Sequence, residues 1–260
     1  PSNRSGVDRT VALIPYVAAA IATVYGYFVL YAATLMTETF YIVVLLWSLE
    51  VALDVVARLQ EDEALPASLP IKAGLSLGLA ALLRQSILPW VPVLFAYLLW
   101  AAWRHRRFMP TVRDLAIVGG LLLVFVLPWT YRNYRAYGTF LLLNSNTGYA
   151  MYSAQHPMHG TRFREFDAAP LPEDLSWGNE AVMDRDLMRI GIQFVIDEPL
   201  RYLRLSLSRV RAFFEFWPTP DTTLLHNVGR VGSYGLFLPF MVYGLIVACA
   251  GSSTAIWRQA

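Results

Sequence analysis

Cysteine is almost missing from this sequence, with Cys249 alone among the 260 residues. The chain can therefore close no internal disulfide and holds no CxxC metal or redox pattern. Cys249 lies in an apolar block and is expected to be a small buried apolar residue. Charge is scarce as well, at 15% of residues where a soluble domain carries roughly a quarter. Lys72 is the single lysine, and the other basic residues are arginine. There is no GxSxG, no P-loop and no dinucleotide fingerprint. The chain opens at Pro1 with no initiator Met, no n-region and no cleavage site. It reads as a fragment whose N-terminus, with further spans, lies upstream.

What is present is apolar sequence, 56% of all residues, gathered in long blocks. Such blocks indicate an all-α polytopic membrane protein. About six spans are expected, at 11–31, 39–57, the segment ending at Arg84, 86–102, 115–131 and 231–257. In short loops, one side of the membrane receives Arg4, Arg9, Arg58, Lys72, Arg104, Arg106, Arg107, Arg113 and Arg258, and the other only Arg84. That bias puts both ends of the chain in the cytoplasm and the long connection outside. It also requires the segment before Arg84 to span, because otherwise the basic cluster at 104–107 would fall outside.

The organisation is therefore 1–131 with five spans, 132–230 as an outer loop, and 231–260 with the last span. The loop holds eleven arginines and eleven acidic residues, so it is neither a polybasic membrane-binding nor a nucleic-acid surface. Trp129, Tyr131, Tyr134 and Tyr137 interleave with Arg132 and Arg135, as an interfacial aromatic belt does. LLLNSNTGYAMY reads as a short apolar piece and a Gly/Asn turn. Residues 155–178 are rich in proline and charge and are expected to be irregular. Asn179 is placed to cap a helix carrying Val182, Leu187, Ile190 and Phe194 on one face. A second helix from Pro199 aligns Leu203, Leu207, Val210 and Phe214, with Arg201, Arg204, Arg209 and Arg211 off that stripe. The pattern suits a helix lying on the membrane or on the bundle.

Arg84 is the most informative residue. Eleven uncharged residues separate it from Lys72, about 16 Å of helix and roughly half a hydrocarbon core. A cation arriving so early can snorkel to the outer headgroups or bind a lipid phosphate in a polar recess. Glu38, in the Thr37-Glu38-Thr39 turn, falls at the same outer face, as a solvated helix cap or a cavity carboxylate. Gly74, Gly78, Ser76 and Ala80-Ala81 make the helix before Arg84 thin-sided, which favours close packing. Glu50, Asp54 and Arg58 share one helical face, and an Asp54–Arg58 pair near the cytoplasmic headgroups accounts for most of that pattern. His156 and His159 lack further ligands at a metal-binding spacing, so no metal site or cofactor is assigned. Asn3-Arg4-Ser5 matches a glycosylation sequon but lies on the expected cytoplasmic side.

Four stretches, TLMTETFYIVVLLWSLEVAL, GLSLGLAALLRQSILPW, PWTYRNYRAYGTFLLLNSNTGYAMYSAQHP and IDEPLRYLRLSLSRVRAFFEFWP, follow one another in a familiar order. In order and spacing the chain resembles the polyprenyl-phosphate-sugar-dependent glycosyltransferases of the GT-C group. Members of that group include protein O-mannosyltransferase-like and lipid A aminoarabinose-transferase-like enzymes. The resemblance implies an integral enzyme of a bacterial plasma membrane, working at the outer face. It would transfer a sugar, with inversion, from a polyprenyl-phosphate donor to a protein, glycan or lipid acceptor. The first span resembles the family's third, so the family's catalytic base is expected upstream and this fragment is expected to be inactive by itself. The resemblance gives Arg84 the donor phosphate and Glu38 a place lining the catalytic cavity. It places Arg132 and Tyr149 at the cavity mouth. Gln85 stands where the family usually has proline.

Two other classes fit the same composition. A transporter or flippase would put its site near the midplane on broken helices, often in repeated halves, and no internal repeat is visible. A non-catalytic assembly or anchoring subunit would lack the upstream acidic residue.

Overall fold

Backbone polar groups in hydrocarbon must pair within their own element, and the long apolar runs accordingly fold as helices. The computed structural model describes residues 4–163, 167–175, 178–220 and 222–250. Asn3 and Arg258 lie outside them, as do the side chains of Arg4, Arg9 and Cys249. Among the described residues there is no strand.

In chain order the helices are α1 (Arg4–Val24), α2 (Gly26–Ala33), α3 (Thr37–Gln60), α4 (Ser68–Leu83) and α5 (Trp90–Arg104). They continue as α6 (Phe108–Tyr137), α7 (Thr147–Gln155), α8 (Glu180–Asp197), α9 (Pro199–Phe213), α10 (Leu224–Arg230) and α11 (Leu236–Ala250). Four stretches are long and apolar enough to cross a membrane, namely α3, Gln85–Arg104, α6 and Leu224–Val247. The expected first span is broken. Tyr25 is extended (ψ 115°) and separates Leu13–Val24 from Gly26–Ala33, which bend by 57°. Counted as one span, this pair gives a fifth crossing.

The segment before Arg84 also differs from its expected form. Ser68, Leu69 and Pro70 add a turn ahead of Lys72, since proline is tolerated at the start of a helix. The resulting 16 residues cover about 24 Å, still short of a full crossing. Arg84 is not part of the helix but its extended C-cap (φ −149°, ψ 112°).

The chain divides into two units, one of residues 1–36 with 211–260 and the other of Thr37–Val210. In the first, the Tyr25 ring meets Phe28 edge-on at 4.9 Å. Asn227 of α10 closes the turn before that helix, with its Nδ2 donating to the Thr219 carbonyl at 2.8 Å and its Oδ1 accepting from Thr222 at 2.7 Å.

The second unit has its core around α4, which packs against α3 and α6. Leu69, Leu77, Ala80 and Ala81 are buried there with Val51, Val55, Leu59, Val118 and Val126. The close approach expected from the small residues is realised. A Cβ on Gly74 would lie 2.7 Å from Leu121, and one on Gly78 2.5 Å from Phe125. Leu121 and Phe125 of α6 thus sit one turn apart on the two glycines of α4, where dispersion contacts bind helices together. At one end of this bundle, Arg58 pairs with Asp54 at 2.9 Å and with Glu63 at 3.1 Å. Arg107 reaches Asp62 at 3.0 Å at the same end. The Asp54–Arg58 pair was expected from spacing, and Glu50 stands exposed on α3. Glu38 and Arg84 lie at the opposite ends of α3 and α4, where they meet.

Helix α6 has 30 residues and covers about 45 Å, well beyond the expected 115–131. It ends at Gly138, whose left-handed φ of 67° and N–H bond to the Tyr134 carbonyl form a common helix stop. Beyond it, 141–143 folds back along α6. Thr130 Oγ1 donates to the Leu142 carbonyl at 2.7 Å and Asn133 Nδ2 to that of Leu143 at 2.9 Å. The expected Gly/Asn turn is confined to 144–146, because Thr147–Gln155 is helical.

Helix α7 packs on α8, capped as expected by Asn179, whose side chain accepts from the Ala181 and Val182 amides. Leu187, Ile190 and Phe194 face Tyr149 and Tyr152 across this contact, joined by Met183 rather than Val182. On α9 the stripe Leu203, Leu207, Val210 and Phe214 is exposed. Arg201 and Arg209 lie off it as expected, but they are not free cations. Arg201 donates to the Gln155 carbonyl at 2.9 Å and Arg209 to that of Ala154, both at the C-terminus of α7. Cations suit the negative end of a helix.

Candidate functional site

Arg84 stands at a break in the chain. Its amide still closes the last turn of α4 on the Ala80 carbonyl at 2.8 Å, while its own carbonyl begins the short 3-10 turn Gln85–Ile87. Pro89, which has no N–H, precedes Trp90 and starts a new helix rather than prolonging the old one. The break frees the Arg84 side chain from the helix surface. Its guanidinium Nη2 donates to Glu38 Oε1 in the first turn of α3. The Arg84 side chain keeps 44% of its surface exposed and Glu38 25%. The pair is thus open on one side, with a planar guanidinium able to take a further oxyanion.

Beside it lies a neutral polar cluster. Gln85 Nε2 donates to Asn144 Oδ1 at 2.5 Å and to Thr147 Oγ1 at 2.6 Å. These bonds tie the end of α4 to the start of α7. A proline at this position could make neither bond.

The next layer is built from α8. Glu180 accepts from Ser145 and, at 3.0 Å, from the Tyr137 hydroxyl. Asp184 is buried and accepts the Gly148 amide at 2.7 Å. The Ser145 and Tyr137 bonds hold the Glu180 carboxyl below the usual glutamate range. Burial pushes Asp184 upward, against the Gly148 and Tyr149 amides that favour its charge. The two shifts act in opposite senses on stability. The contribution of Glu180 is present above its unfolded pKa and is lost as pH falls through its depressed folded value. The contribution of Asp184 is present below its unfolded pKa and is lost as pH rises through its raised folded value. Protection of the α7–α8 amides from hydrogen exchange should therefore peak in mild acid and fall on both sides. Glu180→Gln should remove the fall on the acid side, and Asp184→Asn the fall on the alkaline side.

Of the residues singled out in the sequence, the structure brings together Glu38 and Arg84. Arg132 is exposed on α6, where its Nη1 donates to Asn133 Oδ1 at 3.1 Å. Tyr149 packs into the α7–α8 core. Among the described residues neither shares a hydrogen bond or ion pair with Glu38 or Arg84. His156 stacks edge-on against Tyr152 and Phe194, and His159 Nε2 lies 3.0 Å from the Ser153 carbonyl, so both rings serve packing. Among the described residues no group of three or more His, Cys, Asp or Glu could hold a metal ion.

No protein-family model, curated protein or solved structure matches the chain. Chemical roles at this site are therefore argued from its geometry. In the sequence, Gln85-Ser86 after Arg84 favours a polar recess, but the Gln85 partners Asn144 and Thr147 were missed; their signal was the run of small polar residues Asn144-Ser145-Asn146-Thr147. A cavity of about 30 Å³ inside the bundle, lined among others by Val51, Leu77, Leu94 and Asp114, includes neither Glu38 nor Arg84. It has room for little more than a water molecule.

Proposed function

We propose that this helical membrane protein is part of a transferase that moves a sugar from a polyprenyl-phosphate donor to an acceptor at the outer face of a plasma membrane. The observation that carries this reading is the half-exposed Arg84 guanidinium at a helix break, at one end of an apolar bundle and already oriented by a carboxylate. Six crossings follow if the bent α1–α2 pair and the short α4 each count as one, with residues 132–230 as the outer loop. The exposed stripe of α9 then rests on the lipid surface, which suits its proximity in sequence to the last span.

In the reaction, an acceptor hydroxyl oxygen attacks the anomeric carbon as the bond from that carbon to the phosphate oxygen breaks. The electron pair leaves with the polyprenyl phosphate. The acceptor's proton goes to a base, expected upstream of this chain. Arg84 binds the phosphate and stabilises the charge it gains on leaving. Glu38 holds the guanidinium in place and lines the recess.

The test is Arg84→Gln in the full-length protein. Transfer from a polyprenyl-phosphate sugar should fall by about 10²- to 10³-fold with little change in thermal unfolding. Transfer at the wild-type rate in this variant would sink the reading.

A further inference from the structure

The side chains beside Arg84 have hydrogen-bonding capacity that the fold does not use. Gln85 spends both N–H groups of its amide on Asn144 Oδ1 and Thr147 Oγ1. Asn144 Oδ1 also accepts the Asn146 amide at 3.4 Å. This leaves Gln85 Oε1 as an acceptor, and Asn144 Nδ2 and the Thr147 hydroxyl as donors. Among the described residues none of these three has a partner. Asn144 and Thr147 are exposed and Gln85 is half-buried, so the unused groups are accessible.

Their chemistry narrows the ligand. A second anion would want donors only, and Gln85 Oε1 would repel it. An isoprenoid tail would want apolar walls. A set of neutral donors and acceptors within a few ångströms matches hydroxyl groups, each of which both gives and takes a hydrogen bond. Gln85 follows Arg84 directly, so a phosphate held by Arg84 would bring its ester substituent to this cluster.

On the donor reading above, we infer that Gln85, Asn144 and Thr147 form the subsite that recognises the hydroxyls of the phosphate-linked sugar. Arg84 then reads the charge of the donor, and these three residues read what is attached to it. The Gln85 bonds fix the cluster's geometry, because they hold Asn144 and Thr147 to the residue that follows Arg84 in the chain.

Binding of two lipids to the full-length protein in nanodiscs tests this. One is a short-chain polyprenyl phosphate without sugar, and the other is the same lipid carrying mannose or glucose. The wild-type protein should bind the better of the two sugar lipids more tightly than the bare phosphate. Gln85→Met and Thr147→Val should each reduce that preference by about tenfold, the worth of one such hydrogen bond, and leave the bare lipid's affinity unchanged. Arg84→Gln should weaken both lipids. If Gln85→Met does not fold, Thr147→Val decides. No sugar preference in the wild type, or a preference unchanged in the variants, overturns the subsite. Undiminished binding of the bare lipid by Arg84→Gln overturns the phosphate reading instead.

Discussion

Exchanging the two charges of the site, Glu38→Arg together with Arg84→Glu, should restore stability that either single change removes, and should leave sugar transfer absent. Each single change places two like charges side by side at the end of an apolar bundle. A half-exposed pair in water contributes about 0.2–1 kcal/mol, whereas stranding one partner of a buried pair costs about 3–5 kcal/mol. With side-chain exposures of 44% and 25%, the loss should fall between these limits. The exchange recreates the attraction, so thermal unfolding in detergent should return toward wild type. Transfer should not return. The cation would now stand in the first turn of α3 rather than at the break after α4, on a different element from Gln85. Recovery of transfer in the exchanged protein would show that a charge anywhere in the recess suffices and that the break has no chemical role.

The second large effect concerns the outer loop. Gly148→Ala should separate α7 from α8, at a cost of about 3 kcal/mol or more. A Cβ at this position would lie 1.7 Å from the Asp184 carbonyl oxygen and 2.6 Å from its carbon. Backbone atoms cannot rotate aside as a side chain does, so one helix must move. That movement breaks the 2.7 Å bond between the Gly148 amide and Asp184 and empties a buried carboxyl of its partner. Gly191 is a second contact of this kind, with a Cβ there 2.7 Å from the Tyr152 amide nitrogen. Limited proteolysis should cut the Gly148→Ala loop rapidly, while the apolar helices stay protected. Gly120 in α6 provides the control. A Cβ there meets nothing within 4 Å, and alanine should be neutral or mildly stabilising.

Glu38 and Arg84 could be found in the sequence because ionised groups are conspicuous in apolar surroundings, and because counting charges by side put both at one face. The spans could be found for the same reason, with two exceptions. The break at Tyr25 has Gly26 as its main signal, easily passed over inside an uncharged run, and the early start of α4 lies hidden in a polar linker. Gln85 is legible as a polar residue after Arg84, but its partners Asn144 and Thr147 are neutral, common in turns and about sixty positions away in sequence. Asp184 was hidden among the loop's many acidic residues; only the fold sets it against the Gly148 amide. Arg201 and Arg209 look like solvated cations until α9 is docked, when their reach to the end of α7 becomes apparent.

The unbroken course of α6 has a mechanical consequence. Of its length, about 24 Å lies beyond the point where Leu121 seats on α4, and Pro128 falls within that stretch. A tilt of about 5° at that seat would move the far end by about 2 Å. Because Thr130 and Asn133 in that same stretch hold the carbonyls of Leu142 and Leu143, any movement of the end of α6 is carried directly to the chain just before Asn144.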